Sequence, residues 1–281
     1  MAVVVVTDSS AGLAAEGVAE SGIHVVPLHI LVDGQDLRDG VDAIPADLYH
    51  RGQVSTAGAT PAELAVAYRR ALHDSNGDGV VAVHLSGALS STLGAAEYAA
   101  GEFGGAVRVV DSKSAAMGTG FVALAAAGAA RSGSDLEAVA AQAESTAGRV
   151  HGFIVVHRLD NLRRSGRIGT AASWLGTALS LKPLLRIDDN GQLVLAARVR
   201  TASKAIAAMV EQVLSVVGER RARLAVHHIE NPDVAADIAA TLAAALPGCG
   251  PAVISDLGPV LGVHVGSGAV GVVAAVDEPR L

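Results

Sequence analysis

Three short apolar runs, each closing on a cluster of small polar residues, constrain this chain most. Val3-Val4-Val5-Val6 ends in Thr7-Asp8-Ser9-Ser10. Gly79-Val80-Val81-Ala82-Val83-His84 ends in Leu85-Ser86-Gly87-Ala88-Leu89-Ser90-Ser91-Thr92, and the run 106–110 ends in Asp111-Ser112-Lys113-Ser114. Runs of this length and β-branched content read as buried strands. Helical segments follow at 11–20, at 93–100, and at 115–131 with 135–146. Strands alternating with helices predict parallel βαβ units, and in such sheets ligands bind beyond the carboxyl ends of the strands. In the turn 85–92, free backbone N–H groups and a helix dipole favour an anion; Ser and Thr there also serve as ordinary helix caps.

The rest of the chain supports an α/β fold with two α/β domains. The run 23–32 reads as one strand, turning at Asp33-Gly34-Gln35. Pro45 opens a short helix to Arg51, and a polar segment, Ser55-Thr56-Ala57-Gly58-Ala59-Thr60, leads to a helix from Pro61 whose apolar residues Leu64, Ala67, Tyr68, Ala71 and Leu72 share a face. Beyond residue 150 the pattern changes. Runs 184–187 and 193–199 flank Asp188-Asp189-Asn190-Gly191, a hairpin signal; helices at 202–217 and 232–245 and strands at 153–157, 223–229, 252–255 and 270–276 complete a mixed sheet. The expected division is an N-terminal domain over 1–150, with a mostly parallel sheet and flanking helices, and a C-terminal domain over 151–281, with a mixed sheet and helices. The stretch 258–271 carries five glycines around His264, which leave it closely approachable; an ordinary loop histidine is the other reading.

Composition narrows the chemistry. Hydrophobic residues make up 51% of the chain and charged ones 17%, which describes a globular protein. A net charge of −7 and 2% aromatics argue against nucleic acid, which asks for a basic footprint and stacking platforms. The single cysteine, Cys249, permits no internal disulfide and no cysteine-based zinc site. The apolar run 117–130 carries three glycines and falls short of a membrane span, so stable membrane insertion is not expected. A strand begins almost at once, without a basic leader, and the expected location is the cytoplasm.

Several motifs fail on context. Gly266-Ser267-Gly268-Ala269-Val270-Gly271 matches G-x-G-x-x-G, but a β-rich run follows where a helix is needed. No P-loop, no H-E-x-x-H and no G-x-S-x-G elbow is present, and no cofactor or metal is expected. His227 and His228 are neighbours in a strand and point to opposite faces. A Ser90–His264 nucleophile and base pair, defined by geometry rather than motif, leaves a stand-alone acyl hydrolase or transferase as the alternative to a binding protein.

Taken together, Thr7-Asp8-Ser9-Ser10, Leu89-Ser90-Ser91-Thr92, Asp111 through Gly118, Leu159-Asp160-Asn161-Leu162 with Gly166-Arg167-Ile168, Lys182-Pro183-Leu184-Leu185, and Gly258 through Gly266 resemble the DegV family in order and spacing across nearly the whole chain. Members of that family bind fatty acids and include the lipid-binding subunits of bacterial fatty acid kinase. The resemblance implies a long-chain fatty acid held between the two domains, with a Thr, a Ser and a His at its carboxylate. These fall on Thr56, Ser90 and His264, with Ser91 beside them. It further implies a fatty acid kinase catalytic subunit as partner, with Arg167 and Arg200 as docking residues. The chain departs from the family pattern at Ala57, Ser91, Ser165 and Ser267, where Ser, Gly, Gly and Pro are usual.

Overall fold

The computed structural model describes residues 2–168 and 182–278. The chain divides into two compact units, one of Met1–Pro45 and Ser55–Gly148, the other of Ala46–Val54 and Arg149–Leu281. The first domain expected over 1–150 therefore gives up the segment 46–54 to the second unit.

The first unit is built on a parallel sheet. Strand β1 (Val4–Asp8) runs into a 3-10 turn at Ser9–Ala11, and helix α1 (Ala15–Ser21) leads to β2 (His24–Val26). The run expected as one strand over 23–32 is broken: β2 ends before Pro27, and β3 (His29–Val32) begins after it. Proline has no N–H to continue a ladder, and the two halves join different sheets. β3 forms a hairpin with β4 (Gln35–Arg38), and β5 (Val54–Ala57) pairs on its other side. Helix α2 (Pro61–Asp74), strand β6 (Val80–His84), helix α3 (Thr92–Ala100), strand β7 (Val107–Asp111) and helices α4 (Met117–Arg131) and α5 (Leu136–Ala147) follow. The strand order is β2-β1-β6-β7, with every pairing parallel. Helices α2 and α3 pack together, as do α4 and α5, and both pairs lie on the sheet. All five residues of β6 are buried, as a central strand covered on both faces requires.

The second unit carries the mixed sheet. β8 (Val150–Val155) precedes a short basic helix α6 (Asp160–Arg164); β9 (Lys182–Ile187) and β10 (Leu193–Val199) form the expected hairpin. Then come α7 (Ala202–Val217), β11 (Ala222–His228), α8 (Pro232–Ala245), β12 (Val253–Asp256), α9 (Pro259–Val265) and β13 (Val270–Val276). The order is β10-β9-β8-β13-β11-β12, antiparallel except for β11 with β12. Met209, Val213 and Val217 of α7 and Ile238 and Leu242 of α8 close the core over Phe153, Leu224, Val226 and Val272.

Two further local expectations are corrected. The helix expected over 45–51 is only a 3-10 turn at Leu48–His50. The loop reading of His264 gives way to a helix over Pro259–Val265, between Gly258 and Gly266, both at positive φ. The apolar 117–131 segment is a helix with ten buried residues, and no helix among the described residues is long and apolar enough to cross a membrane.

Candidate functional site

The three polar strand ends noted above belong to neighbouring strands, β1, β6 and β7, so they stand side by side at the carboxyl edge of the parallel sheet. The turn after β6 is internally tied. Ser86 N–H donates to the Ser114 carbonyl at 2.8 Å, and the N–H groups of Leu89 and Ser90 both donate to the Ser86 carbonyl. Ser90 Oγ accepts from Thr92 N–H at 3.2 Å and lies 2.9 Å from Thr92 Oγ1. Ser90 thus performs the capping its residue type suggests. When Thr92 O–H donates to Ser90 Oγ, the Ser90 hydroxyl proton is left for a ligand oxygen. Ser91, the N-cap of α3, makes no side-chain cap bond and is exposed. Its φ of −72° and ψ of −4° are ordinary for any residue, so serine fits where the family uses glycine.

Thr56 lies half-buried in β5. Two residues on, a β-carbon built on Gly58 would come 2.6 Å from Thr92 Oγ1. This close approach brings the Thr56 segment onto the turn that holds Ser90 and Ser91. The segment is anchored downstream by a capping box, in which Thr60 Oγ1 accepts from Glu63 N–H and Glu63 accepts from Thr60 N–H at 2.8 Å. Glu63 also faces His29 Nε2 at 3.1 Å, while His29 Nδ1 meets Asp36 at 2.7 Å. Ala57, at the position of the family's second hydroxyl, is exposed.

In the second unit, α6 packs on α9, and this places Arg167 within electrostatic reach of His264. Burial first, and the Arg167 charge second, push His264 down to about 4, so the ring is neutral at physiological pH. A guanidinium N–H of Arg167 donates to the Ser165 carbonyl. Ser165 has φ −82° and ψ −7°, again no position for glycine alone, whereas Gly166 at φ +73° is. Gly266 sits at φ +80°, and a β-carbon there would lie 2.8 Å from Asn161 Nδ2. The Leu159-Asp160-Asn161 and glycine-rich C-terminal motifs therefore meet in space. Arg200 is exposed, just after β10.

Two features escaped the sequence reading. Asp8, His84 and Tyr68 are all fully buried and bonded in series, with Tyr68 Oη 3.0 Å from His84 Nε2 and His84 Nδ1 3.0 Å from Asp8 Oδ2. Asp39, beyond β4, has its carboxyl raised by burial, a Ser9 hydrogen bond opposing and the Asp8 charge adding to the shift. Only a polar residue at the end of an apolar run signalled Asp8, and nothing local marked its partners.

Among the described residues, no group of three or more His, Cys, Asp or Glu is placed to hold a metal ion. The G-x-G-x-x-G stretch opens into β13 rather than a helix; Gly268 sits at φ +81°, with the His157 ring 2.9 Å from where a β-carbon would stand.

A parallel-sheet unit with a hydroxyl-lined turn at its strand ends, followed by a mixed-sheet unit, defines a two-unit α/β protein. The chain belongs to the DegV family, described as uncharacterised proteins, whose pattern matches residues 2–277. A DegV domain-containing protein of Mycobacterium tuberculosis is 60% identical over 272 residues, covering 97% of this chain and 96% of the relative. Among solved structures, a fatty-acid-binding DegV family protein from Thermus thermophilus is 33% identical, with a TM-score of 0.92 over 99% of this chain and 100% of that one. DegV of Bacillus subtilis, described as a fatty acid binding protein, is 29% identical with a TM-score of 0.88, covering 99% of this chain and 100% of its own.

Proposed function

We propose that this protein binds a long-chain fatty acid, tail buried and carboxylate held by Thr56 and Ser90 with Ser91 beside them, and with His264 as a further head-group donor. The observation that carries the reading is the 85–92 turn. It presents two hydroxyls that are not buried, Ser90 and Ser91, at the carboxyl end of a central parallel strand, in a chain similar to proteins from Thermus thermophilus and Bacillus subtilis described as binding fatty acids.

The energetics divide between tail and head. About 14 methylenes at ~0.8 kcal/mol each contribute on the order of 11 kcal/mol before the costs of association. Hydrogen bonds to a carboxylate add roughly 1.5–3 kcal/mol each. The apolar tail therefore supplies most of the affinity, and the head-group residues orient. A neutral His264 acts as an N–H donor to the carboxylate rather than as a cation.

In this reading the protein is a cytoplasmic carrier rather than a complete enzyme. It presents the carboxylate to a fatty acid kinase catalytic subunit that docks through Arg167 and Arg200. The carboxylate oxygen attacks the γ-phosphorus of ATP on that subunit, ADP departs, and an acyl phosphate stays sheltered from water on the carrier. The deciding experiment is organic extraction of the purified protein with mass spectrometry of what is released. A fatty acid is expected; a different apolar acid or an isoprenoid would reassign the ligand, and a purely polar metabolite would sink the lipid reading. Incubation with acyl esters separates the hydrolase or transferase alternative, since a carrier gives no turnover.

A further inference from the structure

We propose that Asp8 is a positioning residue for the 85–92 turn, a buried carboxylate clamp on the Leu85 amide that is itself held in orientation by His84 and Tyr68. The geometric claim concerns the first unit alone; its consequence for ligand affinity rests on the fatty acid reading.

Parallel pairing sets Val6 opposite Ala82 and Thr7 opposite Val83, which brings the last residues of the two strands, Asp8 and His84, side by side. Here β1 stops and turns through Ser9–Ala11. Leu85, the first residue past β6, loses the main-chain acceptor that a longer β1 would offer. Asp8 Oδ2 replaces it, accepting from Leu85 N–H at 3.1 Å. The other carboxylate oxygen accepts from Ser10 N–H at 3.1 Å and from the Ser10 hydroxyl. A buried carboxylate has to be fully hydrogen-bonded to persist, and four donors achieve that here.

His84 supplies the fourth. Its ring is fixed at the far side by Tyr68 Oη, and Tyr68 is completely enclosed. With Tyr68 O–H donating to Nε2, Nδ1–H donates to Asp8, and every polar side-chain atom of the three is used. Burial, and then the Asp8 charge, raise the Tyr68 phenol, which keeps that proton in place. The order acid–imidazole–hydroxyl is that of a hydrolytic triad, but a phenol with no exposed surface offers nothing to a substrate. The series is a brace.

From Leu85 the brace reaches the ligand turn in two steps. Ser86 N–H is fastened on the opposite side to the Ser114 carbonyl, and the Ser86 carbonyl receives Ser90 N–H at 3.1 Å. Asp8 and Ser114 are thus the two anchors of the stem from which Ser90 projects.

The test uses the full chain as wild type, Asp8→Asn and Tyr68→Phe, with two readouts. In ligand-free protein, hydrogen exchange over 85–92 should accelerate about tenfold in Asp8→Asn, by the loss of roughly one charge-assisted bond, while 136–147 in the same unit stays at its wild-type rate. In titrations, Asp8→Asn should lose about tenfold in affinity for palmitic acid and far less for hexadecanol, which shares the tail but not the carboxylate. Tyr68→Phe should show the same selectivity at smaller amplitude, and carries both readouts if Asp8→Asn does not fold. Wild-type exchange over 85–92 in a folded variant, or equal losses for acid and alcohol, would overturn the clamp. A wild-type protein that binds neither compound overturns the lipid reading instead, and the exchange readout then decides the clamp by itself.

Discussion

Gly58 lies against Thr92: a β-carbon on Gly58 would fall 2.6 Å from Thr92 Oγ1 and 3.3 Å from the Thr92 nitrogen. Because Thr92 Oγ1 is also hydrogen-bonded to Ser90 Oγ, the contact couples the β5 segment to the 85–92 turn. Gly58→Ala should displace that hydroxyl pair, lowering stability by about 1 kcal/mol, the low end for overpacking, and weakening fatty acid binding several-fold. Thermal denaturation and a fluorescent fatty acid titration read the two effects. No change in either would mean the 56–60 segment relaxes freely and does not shape the turn.

Ser90→Ala removes the acceptor of Thr92 N–H and, with it, the proposed carboxylate donor. The expected stability loss is about 1 kcal/mol, as for a removed helix cap, and the expected affinity loss is roughly tenfold. Because the residue sits on a turn, circular dichroism should remain that of the wild type. Unchanged affinity would take Ser90 out of the proposed site.

Ala116, the residue before α4, has φ 52° and ψ −144°, a region that glycine tolerates and a β-carbon does not. Ala116→Gly should stabilise the protein by about 1 kcal/mol, the relieved strain exceeding the added freedom of the unfolded chain. Urea denaturation measures it. A destabilised variant would show that packing of the Ala116 methyl outweighs the strain.

His227 is 2% exposed; burial, with the neighbouring His228 adding and Ser255 opposing, pushes it down to about 4. Between that value and its ordinary value near 6.5, the unfolded chain holds a proton that the folded chain does not. Stability therefore falls as pH falls through that window. The full loss is about 3 kcal/mol, complete below about pH 4. Denaturant midpoints from pH 7 to 4 should show this slope, and His227→Gln should flatten it. An equal slope in the variant would assign the effect to other groups, His264 first among them.

Where the chemistry is local, the sequence is legible. The apolar periodicity of 202–217 and 232–245, and the β-branched run 270–276, mark α7, α8 and β13 at their observed bounds. Where the outcome depends on a distant partner, it is not. The 23–32 run has continuous strand character, and Pro27 divides it because its halves serve two different sheets. His264 lies in a stretch whose glycines suggest a loop. Those glycines cap a short helix that packs against α6 and, at Gly262, admits the Tyr49 ring, 2.5 Å from where a β-carbon would stand.

The residues at the candidate head-group turn, their hydroxyl chemistry and the α/β alternation that presents them were determined by the sequence alone, because turn composition and apolar period act over a few neighbouring positions. The brace beneath the turn was decided only by tertiary structure. Asp8 and His84 are 76 positions apart, and no local pattern connects a strand-end carboxylate with a histidine in an apolar run. Parallel pairing places them side by side, and the burial that follows makes their hydrogen bonds obligatory.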